Sequence, residues 1–211
     1  MVIELSKDET VIDIATGAAH ILALTSKKRV FSCGHYKQYQ LGRHIKNGSN
    51  MDDWINFKPI RQLKNISCGY FNSFVIDESE DVYTWGLNNH GQTGISINPS
   101  SKRDSKLYVK KPTKVHLMGV KEIAAAKDHT IWLFYGGDIF LYTENTGTDE
   151  LPTITKISTN NDIDFAQAVD GDIFYRLKNS VKWKKMTNES TTLVYTFKSW
   201  YNFRSEIIYR L

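Results

Sequence analysis

The fold is decided by one stretch, which runs Ile66-Ser67-Cys68-Gly69-Tyr70-Phe71-Asn72-Ser73-Phe74-Val75-Ile76, then Val82-Tyr83-Thr84-Trp85-Gly86, then Gly91-Gln92-Thr93-Gly94. The same order of small, apolar and glycine residues occurs over residues 14–42 and again, in part, over residues 123–143. The same offset separates the opening isoleucine from the second apolar run in all three segments, as in Ile14 to Val30. A repeat of about 50 residues is typical of propellers, solenoids and arrays.

Each repeat predicts a β-hairpin. In the first predicted strand His20, Leu22 and Leu24 alternate with Ile21 and Ala23, and the other two repeats show the same two-residue period. A short polar link rich in turn-forming residues leads to a second strand that carries aromatic residues, such as Tyr83 and Trp85. Small residues precede every hairpin, and we expect them at an innermost strand where neighbouring sheets crowd around an axis.

These residues resemble the repeats of the regulator of chromosome condensation family. The resemblance is closest over Ile66 to Gly94. Over Ile14 to Gly42 it has Cys33 in place of the tryptophan and Lys28 in place of the turn glycine. The third repeat keeps the histidine and the turn glycine but loses the Trp-Gly pair and the exit loop. The resemblance implies structural roles for Gly17, His20, Gly34, Gly42, Gly69, Asn72, Trp85, Gly86, Gly94, His129 and Gly137.

The predicted fold is therefore an all-β propeller with about four to six recognisable hairpins, in one domain over residues 1–211. Residues 157–211 read as degenerate repeats, with a turn and strand at 170–175 and a further hairpin from Val181–Met186 and Leu193–Phe197. The family implies a ring of about seven blades, and this length supplies about four. A fragment, a shortened variant and a half-ring completed by a partner all remain open, and the first two are favoured.

Composition fits a globular β protein. Hydrophobic residues make up 41% and aromatic residues 12%, and no stretch approaches the roughly 18 apolar residues of a membrane span. With no leader pattern at Met1, we expect the cytoplasm or nucleus, and free thiols at Cys33 and Cys68. The net charge of +4 is mild, and the basic run from Lys102 to Lys114 is predicted to be a solvated loop.

The motifs of enzymes are missing from the sequence. It has no phosphate-binding Gly-x-x-x-x-Gly-Lys loop and no Gly-x-Ser-x-Gly elbow, so we assign no catalytic residue and no cofactor. Cys33, His35 and His44 could be imagined as zinc ligands, but Cys33 occupies the tryptophan position of the repeat, and no metal site is predicted. His20 and His129 recur at one repeat position, where Asn72 stands in the second repeat. This favours a hydrogen-bonding role between strands, since both residue types donate and accept.

Function is then expected in loops. The candidates for partner binding follow the Trp-Gly position or lie in the link before Pro59: His35, Tyr36, Tyr39, Asn88, Asn89, His90, Trp54 and Phe57. Trp54 and Phe57 either pack on the outer strand or anchor a partner, because aromatic residues surrounded by polar groups are common hot spots.

Three functions compete. The first is a non-catalytic propeller that binds a protein. Within it, Cys33-Gly34 and Asp53-Trp54 resemble the fungal branch linked to Elongator and diphthamide synthesis, which implies a role in tRNA wobble-uridine modification through a small metal-binding protein. The second, implied by the founding member, is nucleotide exchange on the small GTPase Ran. The third is an enzyme built on the propeller, which would need a pocket of titratable groups that the sequence does not show.

Overall fold

The computed structural model describes residues 3–43, 55–57, 60, 62–96, 107–142, 151–178, 180 and 182–187. Within them, fifteen strands form four antiparallel sheets. The strands of sheets 1 and 2 are β1 (Val11–Thr16), β2 (His20–Thr25), β3 (Val30–Gly34), β4 (Ile55–Phe57), β5 (Leu63–Cys68), β6 (Asn72–Asp77), β7 (Val82–Leu87) and β8 (Tyr108–Val115). Those of sheets 3 and 4 are β9 (Val120–Ala125), β10 (Thr130–Phe134), β11 (Ile139–Tyr142), β12 (Ile154–Thr159), β13 (Ile163–Ala168), β14 (Ile173–Leu177) and β15 (Lys184–Lys185).

Every sheet is a simple meander in chain order, β1-β2-β3-β4 in sheet 1 and likewise in sheets 2 and 4, with three described strands in sheet 3. The predicted hairpins are the second and third strands of each sheet. Their register follows the repeat, with Leu22 opposite Ser32 and Phe74 opposite Thr84. The first strands of consecutive sheets contact one another, as expected for the innermost strands of a propeller.

The apolar core lies between consecutive sheets. Leu22, Phe74 and Ile131 occupy the same repeat position, are fully buried, and each faces the sheet that follows. On the first strands, Ile66 is 6% exposed because it packs against sheet 1. Ile14, at the same position, is 60% exposed, since no sheet precedes it in the described part of the chain. Burial in this fold therefore depends on having a neighbouring sheet, and the prediction of equivalent hairpins is confirmed.

One expectation was wrong. Lys110, Lys111 and Lys114 lie on β8, the outer strand of sheet 2, and not in a loop. An edge strand accepts lysines and Pro112 because one of its sides pairs with no strand. Lys184–Lys185, within the predicted strand Val181–Met186, pairs with Phe174 and Tyr175 as the fourth strand of sheet 4. Leu193–Phe197, Lys102–Lys106, Trp54 and His44 lie outside the described residues.

The meander creates two faces. The connections between first and second strands and between third and fourth strands share one face, here called the first face. Its described segments are turns 17–19, 69–71, 126–129 and 160–162, loops 35–43 and 88–96, and residues 178, 180 and 182. The connections between second and third strands share the opposite, second face. Over the described residues the chain forms no helix with the length and apolar character needed to cross a membrane.

Candidate interaction surface

A carbonyl group in each of the exit loops 35–43 and 88–96 joins consecutive sheets. The Gln40 carbonyl oxygen accepts hydrogen bonds from Trp85 Nε1 at 2.8 Å and from the Ser73 hydroxyl at 2.9 Å, both in sheet 2. The Gln92 carbonyl oxygen accepts from the Thr130 hydroxyl of sheet 3 at 2.6 Å. The recurring glutamine therefore orders a loop whose backbone carbonyl binds the next sheet.

The glutamine side chains hold these loops in shape. Gln40 Oε1 accepts from the Gln38 backbone N–H at 3.0 Å, and Gln92 Oε1 accepts from the backbone N–H of His90 at 2.9 Å. Gln92 Nε2 also donates to the Lys127 carbonyl oxygen at 3.2 Å, in the next sheet. Both glutamines are fully buried, so the exit loops are built into the junctions between sheets.

The recurring histidines reach the following sheet. His20 Nε2 lies 2.9 Å from the Ser73 hydroxyl oxygen, and His129 Nε2 lies 2.7 Å from Asp164 Oδ1. Because Ser73 gives its own hydrogen to Gln40, its oxygen accepts one from His20, which is therefore protonated on Nε2. Asn72 differs from the expectation: its buried amide makes no hydrogen bond to the described residues, since this shorter side chain stops beside Gly69.

The surroundings of the two recurring histidines shift their pKa values in opposite directions. Burial lowers the pKa of His20 to about 4, and its buried Nδ1 has no hydrogen-bond partner among the described residues. Burial also works against the charged form of His129, but hydrogen bonds and charge contacts with Asp164 and Asp128 outweigh it and raise the pKa of His129. Asp164 is fully buried and also accepts from Arg176. The junction between sheets 3 and 4 is therefore ionic where the first junction is neutral.

Glycines fit where chains approach closely. A Cβ on Gly69 would lie 2.1 Å from Asn72 Oδ1 and 2.6 Å from the Ala126 carbonyl oxygen. Gly86 has a φ of 106°, and a Cβ there would lie 2.4 Å from the Phe71 carbonyl oxygen. The other repeat glycines with positive φ are Gly34, Gly42, Gly94 and Gly137. Gly17 donates its N–H to the His20 carbonyl oxygen, as Gly69 does to Asn72.

The described residues offer little reactive chemistry. No group of three or more His, Cys, Asp or Glu side chains among them is arranged to hold a metal ion. Cys33 and Cys68 form no disulfide. Cys33 is fully buried at the tryptophan position, and burial raises the pKa of the Cys68 thiol to about 12. A thiol with such a pKa is a poor nucleophile at neutral pH.

The predicted partner-binding residues separate into exposed and buried groups. Tyr36 and Tyr39 are each 36% exposed on the first face, and Asn89 is exposed beside them in the second repeat. His35 and His90 are half-buried. Asn88 is buried, contrary to the expectation, because its amide holds the loop: Nδ2 donates to the Ile95 carbonyl oxygen at 3.0 Å and Oδ1 accepts from Thr93 N–H at 3.1 Å. Phe57 lies on β4, with its side chain outside the described part of the chain.

Sequence reasoning missed four first-face residues. Tyr70 is 38% exposed in the turn after Gly69, and Lys127 Nζ lies 5.7 Å from its ring centroid. Tyr108 and Lys110 come from β8 and contact Tyr39, with ring centroids 5.4 Å apart and Lys110 Nζ at 5.2 Å. Tyr70 could have been found as an aromatic in a predicted turn. Tyr108 and Lys110 could not, because their strand was read as a loop.

The repeats and the fold have known relatives. Two family models, both described as the regulator of chromosome condensation (RCC1) repeat, match residues 11–36 and 63–92 and residues 79–133. Protein pim1 of Schizosaccharomyces pombe is 33% identical over 138 residues, which are 63% of this chain and 25% of pim1. The guanine nucleotide exchange factor SRM1 of Saccharomyces cerevisiae is 29% identical, over 69% of this chain and 31% of its own length.

A solved structure shows the same architecture. Prp20p from Saccharomyces cerevisiae superposes with a TM-score of 0.75 at 21% identity, covering 90% of this chain and 53% of that chain. The chain thus spans about a quarter to a third of the two curated relatives and about half of this structure. The spacing of the repeats, their inter-sheet hydrogen bonds and these matches agree, and over residues 11–36 and 63–133 the chain carries repeats of the regulator of chromosome condensation family.

Proposed function

We propose that this chain is a non-catalytic interaction module that binds a protein partner through its first face. The observation that supports the proposal is that titratable groups between the sheets are buried, whereas tyrosine side chains are exposed on the first face. Groups that could serve chemistry, such as His20, His129 and Asp164, are buried and hydrogen-bonded between sheets. Tyr36, Tyr39 and Tyr70 instead stand exposed on loops and turns held by buried glutamines and glycines. Rigid loops with exposed tyrosines suit protein recognition, because such side chains lose little conformational entropy on binding.

The experiment is affinity capture with the purified chain, followed by reconstitution with the recovered partner and measurement of the stoichiometry. A one-to-one complex that Tyr36→Ala and Tyr39→Gly disrupt, and that Tyr135→Ala leaves intact, supports binding through the first face. Tyr135 is a matched control, because it is 56% exposed on the second face. A complex disrupted only by second-face substitutions would contradict the proposal.

A second candidate is nucleotide exchange on a Ran-type GTPase, again through the first face. It is favoured by the relative SRM1, which is named as a guanine nucleotide exchange factor, and by Prp20p, whose structure was described together with its binding properties to Gsp1p and histones. The test is release of a fluorescent guanine nucleotide from purified Ran in the presence of micromolar chain. Faster release would support exchange, and an unchanged rate would exclude Ran as the substrate.

The link to Elongator and tRNA wobble-uridine modification stays a prediction. Burial at the tryptophan position explains Cys33 structurally, and Asp53 and Trp54 lie outside the described residues. The relatives reported above do not bear on this branch. Stoichiometric capture of a small metal-binding protein would support it, whereas capture of a GTPase would favour the exchange factor.

A further inference from the structure

The backbone of Tyr39 is in an unusual conformation. Its φ is 63°, in the left-handed region, where a residue with a bulky side chain costs about 1–2 kcal/mol. The equivalent residue of the second repeat is Gly91, with a φ of 75° and open space around a Cβ. The turn itself therefore calls for glycine, and the tyrosine adds strain that the turn does not need. In the described part of the chain, Lys28, Gln62 and Glu80 share this backbone region, and Tyr39 is the aromatic residue among the four. Residues held in such conformations cluster at active sites and ligand-binding segments.

The strained backbone presents an aromatic ring at the surface. The Tyr39 ring packs at 54° to the ring of Tyr108, and Lys110 Nζ lies over it. The Tyr39 N–H donates to the Tyr36 carbonyl oxygen at 2.8 Å, which places the two exposed tyrosines in one turn. The pair from sheet 1 and the strand from sheet 2 thus form one patch across the junction.

The patch continues along the first face. His35 N–H donates to the Ala19 carbonyl oxygen at 2.7 Å, and Ala18 N–H donates to the Tyr70 carbonyl oxygen at 3.0 Å. Lys127 lies over the ring of Tyr70. We call this set the tyrosine–lysine surface: Tyr36, Tyr39, Tyr70, Tyr108, Lys110 and Lys127. It joins residues of sheets 1, 2 and 3, so it exists only when these sheets are assembled.

Charge indicates what the surface binds. The described segments of the first face contain more lysine and arginine residues than carboxylates, of which there are two. One of these carboxylates, Asp128, already pairs with Lys178 and His129. The second face has a similar tyrosine–lysine pair, in which Lys64 Nζ lies 5.7 Å from the Tyr135 ring centroid. There Lys64 also pairs with Glu80 at 3.6 Å, and other lysines of that face pair with Asp8, Glu78 and Asp81. Counted over the described residues, the first face is therefore the more positive of the two.

From the strained Tyr39, the contiguous tyrosines and the positive charge, we propose that the tyrosine–lysine surface binds an acidic peptide segment of a protein partner. Tyrosine rings would pack on its apolar side chains, and Lys110 and Lys127 would pair with its carboxylates. A peptide is favoured over nucleic acid because two separated lysines and a net charge of +4 neutralise few phosphates. The inference deepens the proposed function and rests on it.

The test is fluorescence anisotropy with purified chain and three labelled probes. These are a short peptide of alternating glutamate and leucine, the same peptide with glutamine for glutamate, and a thymidine oligonucleotide of matched charge. We expect the acidic peptide to bind at least about tenfold more tightly than the glutamine peptide, which corresponds to about 1.4 kcal/mol. Equal binding of the two peptides, or tighter binding of the oligonucleotide, would overturn the inference.

Two variants locate the binding. Tyr39→Gly should weaken binding of the acidic peptide about tenfold or more and leave the urea midpoint unchanged or raised, because it relieves the left-handed strain. Tyr135→Ala, on the second face, should change binding less than twofold. Unchanged binding by Tyr39→Gly refutes this surface as the site. If a protein partner is captured while all three probes fail, the inference falls and the proposed function stands.

Discussion

Truncation of Trp85 to alanine tests the packing between sheets 1 and 2. Trp85 is fully buried, with an accessible surface of 0%. It belongs to the apolar cluster that includes Leu22, Leu24 and Val30 of sheet 1. Truncating a buried aromatic residue costs about 3–5 kcal/mol. The facing residues lie on paired strands and cannot collapse into the cavity, so we expect about 4–5 kcal/mol.

The lost hydrogen bond adds little to this cost. Trp85 Nε1 donates to the Gln40 carbonyl oxygen, which keeps its second donor, the Ser73 hydroxyl, after the substitution. No buried acceptor is therefore left unpaired, and the net loss is about 1 kcal/mol. Trp85→Phe, which keeps most of the volume and loses only the N–H, should cost about 1–2 kcal/mol and gives a second value if the alanine variant is too unstable to measure.

The assay is equilibrium unfolding in urea followed by circular dichroism, with Tyr135→Ala as an exposed aromatic control. With a urea dependence of about 2 kcal/mol per molar, the alanine variant should lower the midpoint by about 2 M. The control should change stability by less than about 0.5 kcal/mol. A cost below about 1 kcal/mol for Trp85→Ala would mean that the side chain is not buried between sheets, and the assignment of the inter-sheet core would be wrong.

Three further predictions test the junctions. Gly69→Val should abolish soluble expression, because the added side chain would collide with Asn72 and the Ala126 carbonyl oxygen. The control Gly91→Ala has open space around its Cβ and should cost only about 1 kcal/mol of stability, because of its positive φ. Soluble, cooperative folding of Gly69→Val would refute the crowding. Folding lowers the pKa of His20 from 6.5 to about 4, so the unfolded chain takes up the proton at a higher pH than the folded protein does. The stability that neutral His20 provides is therefore complete above pH 6.5 and is lost as the pH falls toward 4. His20→Asn, which copies Asn72, should remove about 2–3 kcal/mol of the loss between pH 7 and about pH 4.5 in urea unfolding, and an identical pH profile in both proteins would contradict this. Asp164→Asn should cost about 3–5 kcal/mol because it leaves the buried Arg176 without its carboxylate, and Arg176→Met in the same chain should recover part of that loss; no recovery in the double variant would show that the pair is not the cause.

The repeats were predictable because inner strands are constrained from both sides. Leu22, Phe74 and Ile131 face a neighbouring sheet, so the two-residue period is strict and visible in the sequence. The outer strand β8 has only Val109 and Val115 buried, and it carries lysines and a proline. With so few positions constrained by packing, its sequence resembles that of a loop.

The candidate site was predictable only in part, for a related reason. Tyr36 and Tyr39 follow a recognised motif, but their neighbours Tyr108 and Lys110 come from the unrecognised strand. The ionic junction was missed as well, because the fourth repeat has Ile163 and Asp164 where the third has His129 and Thr130. Without the histidine that marks the position, the sequence gives no sign that Asp164 faces His129 of the preceding sheet.

The exit-loop carbonyls have a consequence for protein engineering. Gln40 precedes the outer strand of sheet 1, yet its carbonyl oxygen accepts hydrogen bonds from Ser73 and Trp85 of sheet 2. Each sheet is therefore stabilised in part by the exit loop of the sequence repeat before it. A chimera that exchanges one repeat between family members should therefore carry over the loop of the repeat before it. A cut at the sequence boundary would instead place a transplanted tryptophan against a loop from another protein, and its buried N–H would lose the carbonyl group matched to it.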